Sequence, residues 1–220
     1  MKKLFLIILT VVLSVSFFSC DDKKDSSLGG NKKDYNVKNI DGYIVEESEL
    51  PTNYVRIVMK NGDAMLVELY PDDAPITVAN FKQLVTDKYY DGITFHRIVP
   101  GFVIQGGDPD GDGYSNNDRP TIKGEFRNNG VNNTIKHERG VLSMARNGYD
   151  FNSASTQFFI VHQTSENNTL SLDGQYAAFG KLLAGYGTLD KIAATNTKKD
   201  GSPKMAEVRF VNIVSAPDAK

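Results

Sequence analysis

The chain has 220 residues, 40 % of them hydrophobic, 24 % charged and 10 % aromatic. That is enough to bury the core of one large domain, and it excludes a collagen-like, coiled-coil or wholly disordered chain. A formal charge of −2 leaves no electrostatic footprint for nucleic acid. One cysteine excludes an intrachain disulfide framework and a multi-cysteine zinc site, and three scattered histidines, His96, His137 and His162, exclude a dedicated histidine metal cluster.

The first segment reads as an address. Met1-Lys2-Lys3 is followed by Leu4 to Phe18, in which only Thr10, Ser14 and Ser16 are polar. A basic start and an apolar stretch of this length make a signal peptide over residues 1–19, shorter than a comfortable membrane span. Cys20, the only cysteine, follows at its end. A thiol there has no intramolecular partner, and its position resembles the acylation site of a bacterial lipoprotein. Thioether-linked diacylglycerol plus an amide-linked acyl chain would anchor stably, because more than one chain is buried. The alternative is an ordinary signal peptide, or an uncleaved anchor, with an incidental cysteine. Removing residues 1–19 takes away Lys2 and Lys3 and no acid, so the net charge moves from −2 to −4. The anchor is therefore lipid rather than a polybasic patch.

Residues 20–50 lack apolar periodicity and contain Ser26-Ser27 and Gly29-Gly30. They read as a lipid-anchored flexible tether, with a reach of about 30 Å for about 28 residues. Residues 51–217 are the globular part. Tyr54–Met59 and Ala64–Tyr70 flank Asn61-Gly62, a strong hairpin signal. Asp72-Asp73-Ala74-Pro75 predicts a helix start, with acids at the positive end of the dipole and proline in the first turn. Val78, Phe81, Leu84 and Val85 then share one face, and Asp91-Gly92 ends the helix. A shorter helix is predicted over Thr188–Ala194 and a last strand over Val208–Val214. The remainder alternates short apolar runs with glycine, asparagine and aspartate turns, so the domain is mainly β with two helices.

Two segments carry chemistry. The run from Phe95 to Asp108 places one arginine, Arg97, and one glutamine, Gln105, in apolar strand-like sequence. An arginine there needs a partner or a task, because an unpaired buried charge is costly. Gly140-Val141-Leu142-Ser143-Met144-Ala145 continues, after an irregular stretch, to Gln157-Phe158-Phe159-Ile160. Together these make an apolar pocket with a few fixed polar groups, the usual form of a small-ligand site. The plainer reading is a core strand with Arg97 bridged to a carboxylate at its edge.

With Leu172-Asp173-Gly174 and Phe179-Gly180 added, the order and content of these pieces closely resemble cyclophilin-type peptidyl-prolyl cis-trans isomerases over about residues 52–216. The resemblance implies an eight-stranded antiparallel β-barrel closed by two α-helices, with a groove on its outer face that accepts a proline-containing peptide. It implies no cofactor and no metal. By motif, Arg97 matches the family's catalytic arginine, with Phe102, Gln105 and Phe159 in the same catalytic set. Phe102, Val103, Phe159 and Leu172 match the walls of the proline pocket, and Gln105 the glutamine that contacts the peptide backbone. His96, Ala145, Arg146 and Gln157 match residues lining the adjoining groove. Tyr176 stands where a groove histidine is common, and Ser171 where tryptophan or phenylalanine is usual. Two residues are inserted within Asn147–Thr156. The absence of tryptophan predicts weak cyclosporin binding.

The implied activity is rotation of X–Pro bonds in exported proteins, on a lipid-anchored domain in the periplasm or at the cell surface of a bacterium. Its partners would be proline-containing polypeptides and a membrane, with no nucleic acid and a monomeric chain. The competing reading is a non-catalytic proline-peptide binding or chaperone module on the same fold. Asp108-Pro109-Asp110-Gly111-Asp112-Gly113 begins like an EF-hand loop, but Arg119 stands where the closing glutamate is needed, so it reads as a turn.

Overall fold

The computed structural model describes residues 37–114, 119–165, 171–195 and 203–215. The predicted signal peptide, Cys20 and the first part of the tether lie outside them. Ten strands form one antiparallel sheet. They are β1 (Asn39–Ile40), β2 (Tyr43–Glu47), β3 (Tyr54–Met59), β4 (Ala64–Leu69), β5 (Arg97–Val99), β6 (Val103–Gly106), β7 (Val141–Met144), β8 (Phe158–Val161), β9 (Ala178–Ala184) and β10 (Met205–Ser215). Two helices accompany them among the described residues, α1 (Pro75–Thr86) and α2 (Tyr186–Ala193). The strand order is β1-β2-β10-β3-β4-β9-β7-β8-β6-β5.

The eight strands from β3 to β10 form the mainly-β sheet expected from the sequence, curled into a half-barrel. A closed barrel is not what the ladders make. Between the segment before β5 and the start of β10 run three backbone hydrogen bonds: Gly92 N–H to Met205 O, Met205 N–H to Ile93 O and Phe95 N–H to Pro203 O. They tie the two ends of the curl at one rim, and among the described residues no ladder joins β5 to β10.

β1 and β2 lie within residues 20–50, so the flexible tether predicted there does not extend through residues 39–47. Ile40 and Val45 are buried against Val58, Leu66 and Val211. On the same face of β3 as Val58, Arg56 is fully buried. Its guanidinium pairs with Glu47 at 2.9 Å and Glu207 at 3.3 Å and donates to the carbonyl of Val37 at 2.7 Å. Arg209 bridges the same two glutamates. Tyr-Ile-Val-Glu-Glu reads as polar linker because the partners of its charges are 9 to 162 residues away.

The β3–β4 hairpin forms as predicted, with Val58 opposite Ala64 and Gly62 at φ +93°. α1 begins at Pro75, but the carboxylate on its first N–H groups is neither Asp72 nor Asp73. Glu125 accepts from Ile76 at 3.0 Å and Thr77 at 2.7 Å. The helix stops at Thr86, before Asp91-Gly92, because Lys88 takes a left-handed conformation and the N–H groups of Asp87, Lys88 and Tyr89 close back on the last turn. Its predicted face is buried, and Phe81 packs on Tyr90, Phe158 and Phe179 at ring separations of 5.2, 5.5 and 5.1 Å. α2 starts two residues before its predicted position, and β10 extends beyond the predicted strand at both ends.

A second apolar cluster lies on the other face of β6, β7 and β8. Val103, Val141, Phe159, Val161 and Leu172 belong to it, whereas Ile104, Leu142, Phe158 and Ile160 face the main core. His137 is a strut within this layer. Its Nδ1 lies 3.0 Å from Asp173 and its Nε2 3.0 Å from Ser143 Oγ, and its ring stacks on Phe159 at 6.0 Å. Burial pushes the ring pKa down, more than Asp173 pushes it up, so the contact is a hydrogen bond from a neutral ring rather than an ion pair. Nδ1–H donates to the carboxylate and Nε2 accepts from the hydroxyl. Burial raises the Asp173 pKa, but hydrogen bonds from the backbone and ring of His137 and from Lys136 outweigh it and hold the carboxyl below its usual range.

Arg56→Met leaves Arg209 to neutralise the glutamates, so the loss is expected at about 2–4 kcal/mol, at or below the roughly 3–5 kcal/mol for breaking a buried pair. Urea unfolding measures it, and hydrogen exchange should show β1 and β2 opening first; unchanged exchange in both strands would refute the clamp. His137 has a folded pKa below its unfolded one, so its contribution is complete above the unfolded value and is lost as pH falls through the folded one. Thermal stability should therefore be level above about pH 7 and decline below about pH 6.5. His137→Gln should flatten that decline, which a pH series of melting curves would show.

Candidate active site

Cross-strand register builds the site. Arg97 is opposite Gln105, Gln105 opposite Phe159 and Phe159 opposite Ser143, so one row crosses β5, β6, β8 and β7. Strand alternation puts this row on the face away from the main core. Arg97 is exposed, and its Nη1 donates to Gln105 Oε1 at 3.3 Å. Gln105 Nε2 donates in turn to Gln157 Oε1 at 2.8 Å, and Gln157 Nε2 lies 3.4 Å from the carbonyl of Gly113. The arginine donor fixes which end of the Gln105 amide is oxygen. The carboxylate partner of the plainer reading is not there: among the described residues no acid forms an ion pair with Arg97, whereas Arg56, Arg119, Arg139 and Arg209 each have one.

A cavity of about 250 Å³ opens beside this row, lined by Arg97, Phe102, Val103, Gln105, Ala145, Arg146, Phe159, Leu172 and Tyr176. Phe159 meets Tyr176 edge-on at 5.7 Å. The volume lies just below the roughly 300–1,000 Å³ of pockets for drug-sized ligands, and suits one ring or side chain. A second, more polar cavity of about 430 Å³ adjoins it, and Gln105, Ala145 and Arg146 line both. Gln157 lines the second.

Arg146 stands between the cavities in an aromatic cage. Its guanidinium carbon is 5.3 Å from the ring centre of Phe126, 4.9 Å from that of Phe151 and 4.6 Å from that of Tyr176. Nε donates to the carbonyl of Gln175 and Nη1 to that of Asn147. The charge is thus held by rings and carbonyls rather than by an acid.

His96 is the exception among the motif residues within the described chain, since it lines neither cavity. The glycine-rich turn covers it: a methyl group on Gly113 would lie 3.9 Å from His96 Cδ2. Both ring nitrogens are buried without a hydrogen-bond partner among the described residues. Burial lowers the ring pKa, with Asp108 opposing and Arg97 reinforcing that shift. Conversely, Tyr114, Thr121, Asn147, Ser153 and Ser155 line the second cavity without any signal in the sequence, because irregular loops bring them in. Cys20 lies outside the described residues.

No group of three or more His, Cys, Asp or Glu side chains among the described residues is placed to hold a metal ion. Likewise, no described helix is long and apolar enough to cross a membrane.

Comparison with known proteins places this geometry. The family described as cyclophilin type peptidyl-prolyl cis-trans isomerase/CLD matches residues 54–215. Peptidyl-prolyl cis-trans isomerase B of Bacillus subtilis is 44 % identical over 128 residues, which span 58 % of this chain and 82 % of that protein. A peptidyl-prolyl cis-trans isomerase of Acinetobacter baylyi is 33 % identical over 177 residues, covering 79 % of this chain and 89 % of the relative. Among solved structures, a cyclophilin-type isomerase of Cryptosporidium parvum, crystallised in the presence of the dipeptide Ala-Pro, superposes with a TM-score of 0.61 at 29 % identity. That match covers 74 % of this chain and 99 % of the other. A family match over residues 54–215 and a relative 33 % identical that is covered to 89 % show that the chain belongs to the cyclophilin-type peptidyl-prolyl cis-trans isomerase family.

Proposed function

We propose that the chain rotates X–Pro bonds by seating the proline ring in the cavity bounded by Phe102, Val103, Phe159 and Leu172 and presenting Arg97 to the prolyl nitrogen. The observation that carries this reading is that Arg97 has no acid partner among the described residues and lines the same small cavity as Phe102 and Phe159. The barrier to rotation is about 18–20 kcal/mol and comes from amide resonance. No bond to a heavy atom breaks, so the reaction needs neither nucleophile nor redox centre. It needs tighter binding of the twisted amide than of either planar form.

As the amide twists, the prolyl nitrogen regains its lone pair and becomes an acceptor. A guanidinium suits that acceptor: it stays charged, carries five N–H donors on a rigid head and does not act as a general acid. The Gln105 carboxamide engages one of those donors and leaves others for the substrate. With the ring held in the cavity, the residue before proline is the part that turns. Catalysis is then positioning plus a donor aimed in advance at the charge of the transition state.

We also propose that Cys20 is acylated and that this anchor holds the domain at the bacterial envelope, working on exported polypeptides as a monomer. Support comes from the basic start, the apolar run to Phe18 and the lone cysteine that closes it.

Arg97→Ala is expected to lower kcat/KM for a prolyl peptide by about 10²–10³, the scale of removing one transition-state donor. Because Arg97 is exposed, stability should change by no more than about 0.5 kcal/mol. A coupled prolyl-peptide assay and a melting curve check both, and unchanged turnover would defeat the assignment. In cells fed labelled palmitate, the wild-type chain should take up label and sediment with membranes, and Cys20→Ala should do neither. Equal labelling of the two would remove the anchor.

A further inference from the structure

The hairpin that carries Arg97, Phe102, Val103 and Gln105 is gripped by a histidine that does not line the cavity. β5 and β6 are joined through Val99-Pro100-Gly101-Phe102, closed by the N–H of Phe102 donating to Val99 O at 2.9 Å. Proline second and glycine third, with Gly101 at φ +80°, make a type II turn. The turn's own hydrogen bond does not use the Gly101 N–H. That N–H donates instead to Nδ1 of His162 at 3.0 Å. The carbonyl of Phe102 accepts from the backbone N–H of His162 at 2.8 Å. His162 follows directly on β8, the strand of Phe159, so it pins one wall of the cavity to another.

The other side of the ring is equally determined. Nε2 lies 3.2 Å from Oδ1 of Asp190 on α2. Arg139, in the segment before β7, donates to the same oxygen at 2.7 Å and to the carbonyl of His162 at 2.6 Å. Hydrogen bonding from Arg139 holds the Asp190 carboxyl below its usual range, so it is ionised. A backbone N–H can only donate, so Nδ1 must carry its lone pair and the ring proton sits on Nε2, facing the carboxylate. A second proton, on Nδ1, would set two donors against each other 3.0 Å apart. His162 is only 9 % exposed, which limits replacement of the lost bond by water.

We propose that His162 is a positioning residue for isomerisation: its ring accepts the Gly101 N–H, fixes the β5–β6 turn and thereby holds Phe102 and Arg97 in place. The inference rests on the reading of the cavity as the proline site.

The test uses the full chain in detergent, a prolyl peptide and a protease-free absorbance assay. His162→Ala should lower kcat/KM about five- to tenfold, mainly through KM, the scale of leaving one buried donor unpaired. His162→Asn offers an oxygen to the Gly101 N–H and should stay within about twofold of wild type. Wild-type values for His162→Ala, or an asparagine variant as low as the alanine one, overturn the proposal. If His162→Ala does not fold, hydrogen exchange at Gly101 in the wild-type chain decides: protection supports the contact and free exchange overturns it. A wild-type chain without activity but with Gly101 protected would overturn the isomerase reading rather than the turn contact.

Discussion

A slip of β6 by one residue against its neighbours would turn Gln105 into the core and bring Ile104 out, because side chains alternate along a strand. The register that prevents this is fixed from both faces. Ile104, Phe158 and Ile160 fill the main core, while Val103, Phe159 and Val161 fill the layer outside it. With both faces buried, no neighbouring register satisfies the strand. The row Arg97, Gln105, Phe159 and Ser143 is a consequence of that packing, and the cavity beside it is a consequence of the row. Phe159 is a hydrophobic anchor of the outer layer and a wall of the cavity at once.

Charge is distributed to suit this arrangement. Away from the cavity, Arg56 is paired with Glu47 and Glu207, Arg119 with Asp87 and Arg139 with Asp190. At the cavity, Arg97 is held by an amide and Arg146 by rings and carbonyls. An acid beside Arg97 would compete with the weak acceptor that forms only in the twisted amide. A neutral amide orients the guanidinium without cancelling its charge, which is what a donor kept for a transition state requires.

The sequence made legible those parts whose causes are local. Asn61-Gly62 between two apolar runs determines its hairpin, and the spacing of Val78, Phe81, Leu84 and Val85 determines which face of α1 is buried. The cavity residues were legible through a dense motif rather than through periodicity. What escaped reading depends on partners far along the chain. Glu125 caps α1 from 48 residues away. The hairpin β1–β2 looks like linker until Arg56 and Arg209 meet its Glu47. His96 sits beside Arg97 in the motif, yet the turn at Gly111–Gly113 covers it. His162 carries no local signal, since its meaning comes from the Gly101 N–H 61 residues earlier.

The same strand order separates the N-terminal strand from the site. β1 is one end of the order and β5 the other, so the strand nearest the N-terminus is paired with β2 and then β10, not with any strand that carries a cavity residue. If Cys20 holds the chain to a membrane, tension along the N-terminal segment reaches the described residues at Val37, whose carbonyl Arg56 holds. It would first load the β1–β2 pairing, the β2–β10 ladder and the ionic cluster of Arg56, Glu47, Glu207 and Arg209. Arg56 is fully buried, so parting it from its glutamates leaves an uncompensated charge. The cavity, with its register set by β6, β7 and β8, stands outside that line of load. A flexible anchor is therefore compatible with a rigid site on this fold, and the charges in the hairpin that make it look like linker are the groups that hold it.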